Sequence, residues 1–247
     1  MSDADDLRGR VAIVTGAASG MGAATARELA RRGAVVVPLD CNGGAVTELA
    51  AELGTAPALV GDVCDVEFCD EAVAATVARN GHLDILVNAA GVILRADATG
   101  TDDEAWRRVF EVNVGGVFKL SRAAVRVMAP RGRGTIVNFG SIWGDVGAAG
   151  VLAYCASKGA VHQITRAMAL DHADDGIRIN AVAPGEVDTP MLASGRAAPP
   201  TAADLRHLAD TTIPLRRLAQ PIEVARVVAF LASDAASYMT GAIVTVD

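Results

Sequence analysis

The sequence predicts an α/β fold, a doubly wound parallel sheet of about seven strands with helices on both faces, in a single domain over residues 1–247. Short apolar, β-prone runs alternate with longer helical patterns along the chain, which is typical of a parallel sheet covered on both faces. The chain is 51% hydrophobic and has no internal repeat, which suits one large core. The strands are expected at Val11–Val14, Val35–Leu39, Ala58–Val60, Ile85–Val87, Thr135–Phe139, Arg178–Val182 and Ile243–Val246.

A glycine-rich turn follows the first strand. Its sequence is Thr15-Gly-Ala-Ala-Ser-Gly-Met-Gly22, and a helical pattern then runs through Arg32. Glycines let a pyrophosphate approach the backbone, and the free N–H groups of a helix N-terminus favour its charge. The spacing Gly-x-x-x-Gly-x-Gly differs from the commoner Gly-x-Gly-x-x-Gly, so the turn alone fits a structural role equally well. The turn residues predicted to bind a dinucleotide are Gly16, Ser19, Gly20, Met21 and Gly22.

The second strand carries a carboxylate at its end. Asp40 stands where a dinucleotide fold places the group that binds the adenosine ribose hydroxyls. A carboxylate there repels the 2′-phosphate of NADP, and neither Arg nor Lys occurs within Gly16–Gly22. The residues therefore favour NAD. Pro38 has no N–H for a sheet ladder, so we expect the strand to end or bulge beside Pro38.

A tyrosine and a lysine share one predicted helix, Tyr154–Asp171, after the fifth strand. Tyr154 and Lys158 are four residues apart, so their side chains lie on one face. An ammonium beside a phenol favours the ionised phenol, so we expect Lys158 to lower the pKa of Tyr154 and make it a general base. Ser141 would then hold the reacting oxygen. Taken alone, the Tyr-x-x-x-Lys pair fits a packed Tyr and a solvated Lys as well.

Further motifs follow successive strands in a familiar order. They are Asp62-Val63, Asn88-Ala-Ala-Gly91, Asn113, Ser141, Tyr154, Lys158, and Pro184-Gly185 with Thr189. With the turn at Thr15–Gly22, these motifs give the chain an end-to-end resemblance to the one-domain branch of the short-chain dehydrogenase/reductase family. The resemblance implies a Rossmann-type fold and a catalytic set of Asn113, Ser141, Tyr154 and Lys158.

The resemblance also implies how a cofactor is held. Asp62 and Val63 would surround the adenine, Lys158 would grip the nicotinamide ribose, and Asn113 would hold a water that links Lys158 to solvent. The remaining residues that the resemblance places around the cofactor are Asn88, Ala89, Gly91, Tyr154, Pro184, Gly185, Val187 and Thr189. Gly140 departs from the family pattern, which often has a serine there. Family chains also continue past the final Val-Asp, so the pocket edge near Asp247 is expected to be incomplete.

The function these residues predict is NAD-dependent interconversion of a secondary alcohol and a ketone, with Tyr154 as general acid and base. One alternative is an NAD-binding regulatory or scaffold protein without turnover, which would not need a proton-transfer set. Another is a 3-oxoacyl thioester reductase, although such family members usually favour NADPH. The residues do not determine which alcohol or ketone is the substrate. The predicted substrate contacts are Ser141, Trp143, Tyr154 and Glu186, with a loop segment at 191–214 beside them. Trp143 fits either a core position or stacking on a ring.

Charge and composition exclude other classes. A net charge of −7 argues against nucleic acid as a partner. The acidic start Met1–Asp6 and the lack of a long apolar run predict a cytoplasmic protein without a membrane segment. The four cysteines match no zinc spacing, so reduced thiols and no metal site are expected. His162 is expected to pack rather than bind a metal.

Apolar and small residues on the predicted helices Thr101–Ala129 and Tyr154–Asp171 indicate a homo-oligomer, and the resemblance implies a homotetramer.

Overall fold

The computed structural model describes residues 6–247 and has one seven-stranded parallel sheet. The strand order is β3-β2-β1-β4-β5-β6-β7, and every neighbouring pair is parallel. The strands are β1 (Val11–Thr15), β2 (Val35–Asp40), β3 (Leu59–Val60), β4 (Ile85–Asn88), β5 (Gly134–Phe139), β6 (Ile177–Pro184) and β7 (Ile243–Val246). The predicted fold class is confirmed. Residues 1–5, most of the acidic start, lie outside the described residues.

Eight α-helices are found in the described part of the chain. They are α1 (Gly20–Arg31), α2 (Gly43–Leu53), α3 (Val66–Asn80), α4 (Asp103–Phe110), α5 (Val117–Met128), α6 (Leu152–Asp171), α7 (Ala202–Thr212) and α8 (Pro221–Ala232). Helices α1, α2 and α8 pack on one face of the sheet, and α3, α5 and α6 pack on the other. Strand β1 supplies both cores, since Ala12 and Val14 face one layer and Ile13 faces the other. None of the helices within residues 6–247 has the length and hydropathy to cross a membrane.

Pro38 does not interrupt its strand, so the expected end or bulge is wrong. Strand β2 runs through Pro38 to Asp40 and stays in register with β1, where Val14 lies opposite Pro38. The reason is the direction of the backbone groups. Val36 exchanges hydrogen bonds with the Thr55 hydroxyl, and the Asp40 carbonyl accepts from Gly61, so alternate residues of β2 face away from β1. Pro38 belongs to that set, and pairing with β3 begins only at Leu39, so no ladder bond is lost.

The site is positioned by the point at which the strand order reverses. Strands β1 and β4 are neighbours, but the chain leaves them in opposite directions across the sheet, which opens a crevice at their carboxyl ends. The loops after β1, β4, β5 and β6 all reach this edge. A π-helical segment, Glu111–Gly116, separates α4 from α5 and lies beneath the same edge. The backbone stays helical through both junctions, so the helix predicted around Thr101–Ala129 is present with a π-helical segment in its middle.

Candidate active site

A cleft runs along the carboxyl ends of β1, β2 and β4. Most residues predicted to bind the cofactor line this cleft: Gly16, Ser19, Gly20, Met21, Gly22, Asp40, Asp62, Val63, Ala89, Gly91 and Thr189. These residues come from five separate loops. Pro184, Gly185 and Val187 instead line a second, adjoining pocket, which shares Met21, Thr189 and Met191 with the cleft.

The glycine-rich turn forms a cradle that side chains would fill. Gly16 has a φ of +65°, a left-handed conformation that favours glycine, and a Cβ there would lie 2.8 Å from the Ala90 nitrogen. A Cβ on Gly22 would overlap the Gly16 carbonyl oxygen. Helix α1 begins at Gly20, and Ser19 at its N-cap makes no side-chain capping bond. The first N–H groups of α1 are therefore left for an anion in the cleft, which fits the pyrophosphate of a dinucleotide.

Asp40 is the last residue of β2 and lies beside this turn, and its carboxylate is held by two backbone groups. One oxygen accepts from the Ala18 N–H at 3.0 Å, and the other accepts from the Asn42 N–H at 2.9 Å. The side chain still lines the cleft. Its charge is thus fixed beside the cradle, as a ribose-binding carboxylate requires.

Asp62 closes the cleft next to Asp40, and here the structure adds a residue that the sequence did not indicate. Arg108 of α4 lines the cleft, and its Nη1 lies 3.4 Å from Asp62 Oδ2 and 3.4 Å from Cys64 Sγ. Burial opposes ionisation of Asp62, but hydrogen bonds from Cys64 and the charge of Arg108 together lower its pKa. Only the packing of α4 against this loop places Arg108 here, so no local sequence signal could have identified it.

Asn88 lies beneath the cleft and is absent from its wall. The side chain is buried, and its amide nitrogen donates to Ser121 Oγ at 3.0 Å and to Asn138 Oδ1 at 2.8 Å. Asn138 in turn donates to Thr165 Oγ1, so the network joins β4 and β5 to α5 and α6. The Asn88 side chain thus belongs to a buried structural network, and its contact with a cofactor stays a prediction.

Ser141 and Tyr154 face the second pocket together. Ser141 caps a short 3₁₀ turn after β5, and its Oγ accepts from the Trp143 N–H at 3.2 Å. Tyr154 is in the first turn of α6, with the Trp143 ring edge-on at 6.1 Å between ring centroids. Both serine and tyrosine line the pocket, as does Trp143. Their two hydroxyls lie close together, since the Ser141 side chain hydrogen-bonds to Tyr154.

The expected effect of Lys158 on Tyr154 is not seen. Burial raises the pKa of Tyr154 to about 12, and a hydrogen bond with Ser141 only partly opposes this shift. Burial also lowers the pKa of Lys158 to about 8. The ammonium lies 5.5 Å from the centroid of the Tyr154 ring and donates to the Phe139 carbonyl at 2.7 Å. The prediction was wrong because it weighed only the neighbouring charge, whereas desolvation penalises the charged form of each group.

Asn113 lies inside the π-helical segment and is fully buried. Its Oδ1 accepts from the Val92 N–H at 2.8 Å, while its Nδ2 donates to the Val92 carbonyl and to Ser157 Oγ. A Cβ on Gly91 would lie 3.3 Å from Asn113 Oδ1 and 3.6 Å from Lys158 Nζ, so Gly91 leaves room where the two side chains approach. Asn113 thus fixes the strand-end loop beside Lys158.

Two charged side chains line the second pocket. Arg95 and Glu186 form no ion pair within the described residues; the Arg95 Nε donates instead to the Ser194 carbonyl at 3.0 Å. Burial lowers the pKa of Arg95 and raises that of Glu186. The rest of the wall is mainly apolar, including Ile93, Ile142, Met191 and Leu192. The predicted loop segment at 191–214 thus contributes its first residues to the pocket, and α7 lies further along it.

The described residues include four cysteines. Cys41, Cys64, Cys69 and Cys155 are free thiols. Burial raises the pKa of Cys64 and of Cys69 to about 11. Among residues 6–247, no three His, Cys, Asp or Glu side chains are grouped as a metal site would require.

The chain is similar to known oxidoreductases over nearly its whole length. A family model described as enoyl-(acyl carrier protein) reductase matches residues 16–247. Galactitol 2-dehydrogenase (L-tagatose-forming) of Cereibacter sphaeroides is 45% identical over 98% of this chain and 94% of its own length.

Solved structures agree over nearly the whole chain. The 3-ketoacyl-(acyl-carrier-protein) reductase of Brucella melitensis, in complex with NADH, is 33% identical with a TM-score of 0.91 and covers 98% of each chain. A Beutenbergia cavernae protein, assigned as an NAD(P)-dependent gluconate 5-dehydrogenase and holding NADP at low occupancy, is 39% identical with a TM-score of 0.90, covering 98% of this chain and 96% of its own. The chain therefore belongs to the short-chain dehydrogenase/reductase family.

Proposed function

We propose that the protein is an NAD-dependent dehydrogenase that interconverts a secondary alcohol and a ketone. The observation that carries this proposal is the convergence of the Ser141 and Tyr154 hydroxyls on a pocket that adjoins the glycine-lined cleft. A protein that only binds a dinucleotide needs the cleft and has no use for the paired hydroxyls. Similarity to galactitol 2-dehydrogenase supports the same chemistry.

The residues of the cleft fit a nicotinamide dinucleotide. The cradle at Gly16–Gly22 and the uncapped start of α1 would hold the pyrophosphate, Asp40 the adenosine ribose, and Asp62 the adenine end. Lys158 would bind the nicotinamide ribose, and Thr189 with the Pro184–Gly185 loop would bind the carboxamide. When bound, the nicotinamide accepts or supplies the hydride.

The side chains of the protein handle the proton and the geometry. Tyr154 accepts the proton of the alcohol during oxidation and returns it during reduction. Ser141 donates a hydrogen bond to the substrate oxygen and holds it beside Tyr154. Lys158 is buried beside the Tyr154 ring and is held in place by its hydrogen bond to the Phe139 carbonyl, so its proposed role is to position the nicotinamide ribose next to Tyr154. Asn113 keeps the adjoining loop in place.

We infer a preference for NAD from the fixed carboxylate of Asp40. A 2′-phosphate at this point would meet a negative charge whose two oxygens already accept backbone hydrogen bonds. The cation in the described wall of the cleft, Arg108, faces Asp62 instead. One comparison structure holds NADH and another holds NADP, so the preference is inferred from Asp40 alone.

The two charged side chains of the second pocket, Arg95 and Glu186, favour a substrate with a further hydroxyl group. Arg95 can only donate hydrogen bonds, and ionised Glu186 can only accept them. A simple cycloalkanol would offer no partner to Glu186 or to the remaining N–H groups of Arg95, whose Nε already donates to the Ser194 carbonyl, and a carboxylate would pair with Arg95 but be repelled by Glu186. A diol or sugar alcohol has hydroxyls that satisfy both. Galactitol 2-dehydrogenase, a relative named for a polyol, is consistent with this choice.

The direct test is an assay of NAD reduction at 340 nm with matched alcohols. The panel contains galactitol, 2,3-butanediol, 1,2-cyclopentanediol, cyclopentanol and a hydroxycyclohexanecarboxylate. We expect turnover with the diols and polyols, and none in Tyr154→Phe, which keeps the ring and should still bind NADH. Absence of turnover across the panel, with NADH bound, would favour the regulatory or scaffold alternative.

The thioester alternative has one supporting observation, the similarity to a 3-ketoacyl-(acyl-carrier-protein) reductase. Acetoacetyl-CoA with NADH and with NADPH tests it in the same assay. Faster reduction of this thioester than of any hydroxyketone would replace the polyol proposal.

We also propose a cytoplasmic homotetramer. The outer face of α6 carries small residues, Ala156, Ala160 and Ala167, and Phe118 of α5 is 48% exposed. Small residues allow two copies of a helix to approach closely. Other small and apolar residues of the two helices pack inside this chain, namely Ala123, Ala124, Val125, Val161 and Ala169.

A further inference from the structure

A buried histidine lies directly beneath the serine loop. His162 follows Lys158 by one turn of α6, and only 1% of its surface is exposed. The mechanism above makes no use of it. The sequence indicated a packing role and showed no partner at ligand spacing, but folding brings the loop after β5 onto its ring.

Both ring nitrogens of His162 have partners in that loop. The Ser141 backbone N–H donates to Nε2 at 3.5 Å, at the long end of the range for such a bond, and Nδ1 lies 3.1 Å from Asp145 Oδ1. A backbone N–H can only donate, so Nε2 must carry a lone pair. The ring proton is therefore on Nδ1, where it is donated to Asp145. Burial lowers the pKa of His162, which favours this neutral form.

The His162 ring leaves no room for a side chain at two glycines of the loop. A Cβ on Gly140 would overlap His162 Nε2, and a Cβ on Gly144 would lie 2.6 Å from His162 Cε1. The imidazole thus fills the space that a side chain at Gly140 would need. The loop also closes on itself, since the Gly144 N–H donates to the Ser141 carbonyl at 2.9 Å.

The charged surroundings favour the same orientation. Asp145 is half-exposed, and Arg166 Nη2 lies 3.9 Å from the Asp145 carboxylate. Lys158 is the other charged group that acts on the ring. Asp145 therefore links the buried imidazole to the surface of α6 and favours the Nδ1–H tautomer.

We propose that His162, oriented by Asp145, is a positioning residue that fixes the Ser141 backbone and so aims its hydroxyl at the substrate oxygen. This inference rests on the proposed function, in which Ser141 orients that oxygen. A displacement of a catalytic group by about 1 Å costs about 100-fold in rate, so loss of the ring contact should be visible in kcat.

The tautomer is testable without any activity. In protein labelled with ¹⁵N-histidine, and with His162→Leu used to assign its signals, we expect the Nδ1–H tautomer at neutral pH. An Nε2–H tautomer or a charged ring at pH 7 would overturn the proposal.

The kinetic test asks whether His162 acts through Ser141. We expect His162→Leu to lower kcat by about 10- to 100-fold with unchanged NADH affinity, and His162→Gln, whose carbonyl can accept from the Ser141 N–H, to recover part of the loss. In a Ser141→Ala background, His162→Leu should cost almost nothing more, and single-turnover measurements keep this slow background measurable. Equal losses in the two backgrounds, or no loss, would contradict the proposal.

A matched control lies on the same helix. His172 Nδ1 is 2.9 Å from Asp175 Oδ2 at the far end of α6, so His172→Leu removes a similar pair away from the site and should leave kcat unchanged. If His162→Leu fails to fold, Asp145→Ala removes the exposed partner and should show the same dependence on Ser141. Wild-type turnover is the reference throughout. The absence of wild-type turnover would refute the proposed function. The tautomer measurement needs no turnover, so it would still show whether His162 Nε2 accepts from the Ser141 N–H.

Discussion

Replacing Asp40 by Asn should collapse the preference for NAD over NADP. The substitution removes one negative charge and keeps one amide oxygen for the Ala18 or Asn42 N–H. The lost second acceptor affects both coenzymes equally, because neither occupies that backbone contact. The ratio of the two dissociation constants therefore isolates the effect of the charge on the 2′-phosphate.

The expected size of the change follows from the charge and its exposure. Two unit charges about 4 Å apart repel by about 1 kcal/mol in water and about 4 kcal/mol near a protein surface. Asp40 is partly exposed at the rim of the cleft, so both limits are relevant. At about 1.4 kcal/mol for each tenfold step, the carboxylate should disfavour NADPH by about 5- to 700-fold relative to NADH.

Titrations of NADH and NADPH into wild type and Asp40→Asn, followed by tryptophan fluorescence or calorimetry, measure this ratio. Asp40→Ala combined with Cys41→Arg should go further and reverse the preference, because an Arg beside the vacated position can bind the phosphate. Asp62→Asn is the control, since that carboxylate also lines the cleft but faces Arg108. Higher salt should reduce the wild-type discrimination.

Comparable dissociation constants for the two coenzymes in the wild type would refute this reasoning. So would an Asp40→Asn variant that keeps the full preference, or an Asp62→Asn variant that loses it. In the last case the discrimination would lie at the Asp62–Arg108 end of the cleft.

Three further expectations follow from the same structure. Because burial raises the pKa of Tyr154 to about 12, the ultraviolet difference between wild type and Tyr154→Phe should show no phenolate below pH 10, and a phenolate signal at neutral pH would contradict the burial argument. Gly22→Ala should lower stability by about 1–3 kcal/mol and weaken NADH binding, because its methyl group overlaps the Gly16 carbonyl; thermal unfolding checks this against Gly147→Ala, where no atom lies within 4 Å. Light scattering should give the mass of a tetramer for wild type and of a smaller species for Phe118→Arg; a monomeric wild type would refute the proposed assembly.

The local pattern of the sequence was sufficient for the strands, the turn and the order of the motifs. Apolar runs and glycine spacing depend on neighbouring residues only. Six strands were therefore predicted to within two residues at each end, and the bounds of β7 were predicted without error. The carboxylate at Asp40 and the Tyr154–Lys158 pair were likewise visible, because strand ends and helical periodicity place them on one edge and one face.

Burial and long-range packing were decided only by the tertiary structure. The pKa of Tyr154 rises because the core removes water from it, and no spacing rule contains that term. Pro38 is tolerated because its missing N–H faces away from β1, ahead of the first β3 pair. Arg108 reaches the cleft, and His162 reaches the Ser141 loop, through contacts across 46 and 21 residues of chain. The sequence determined the types of groups the site contains, while folding determined which of them touch and how far each is from water.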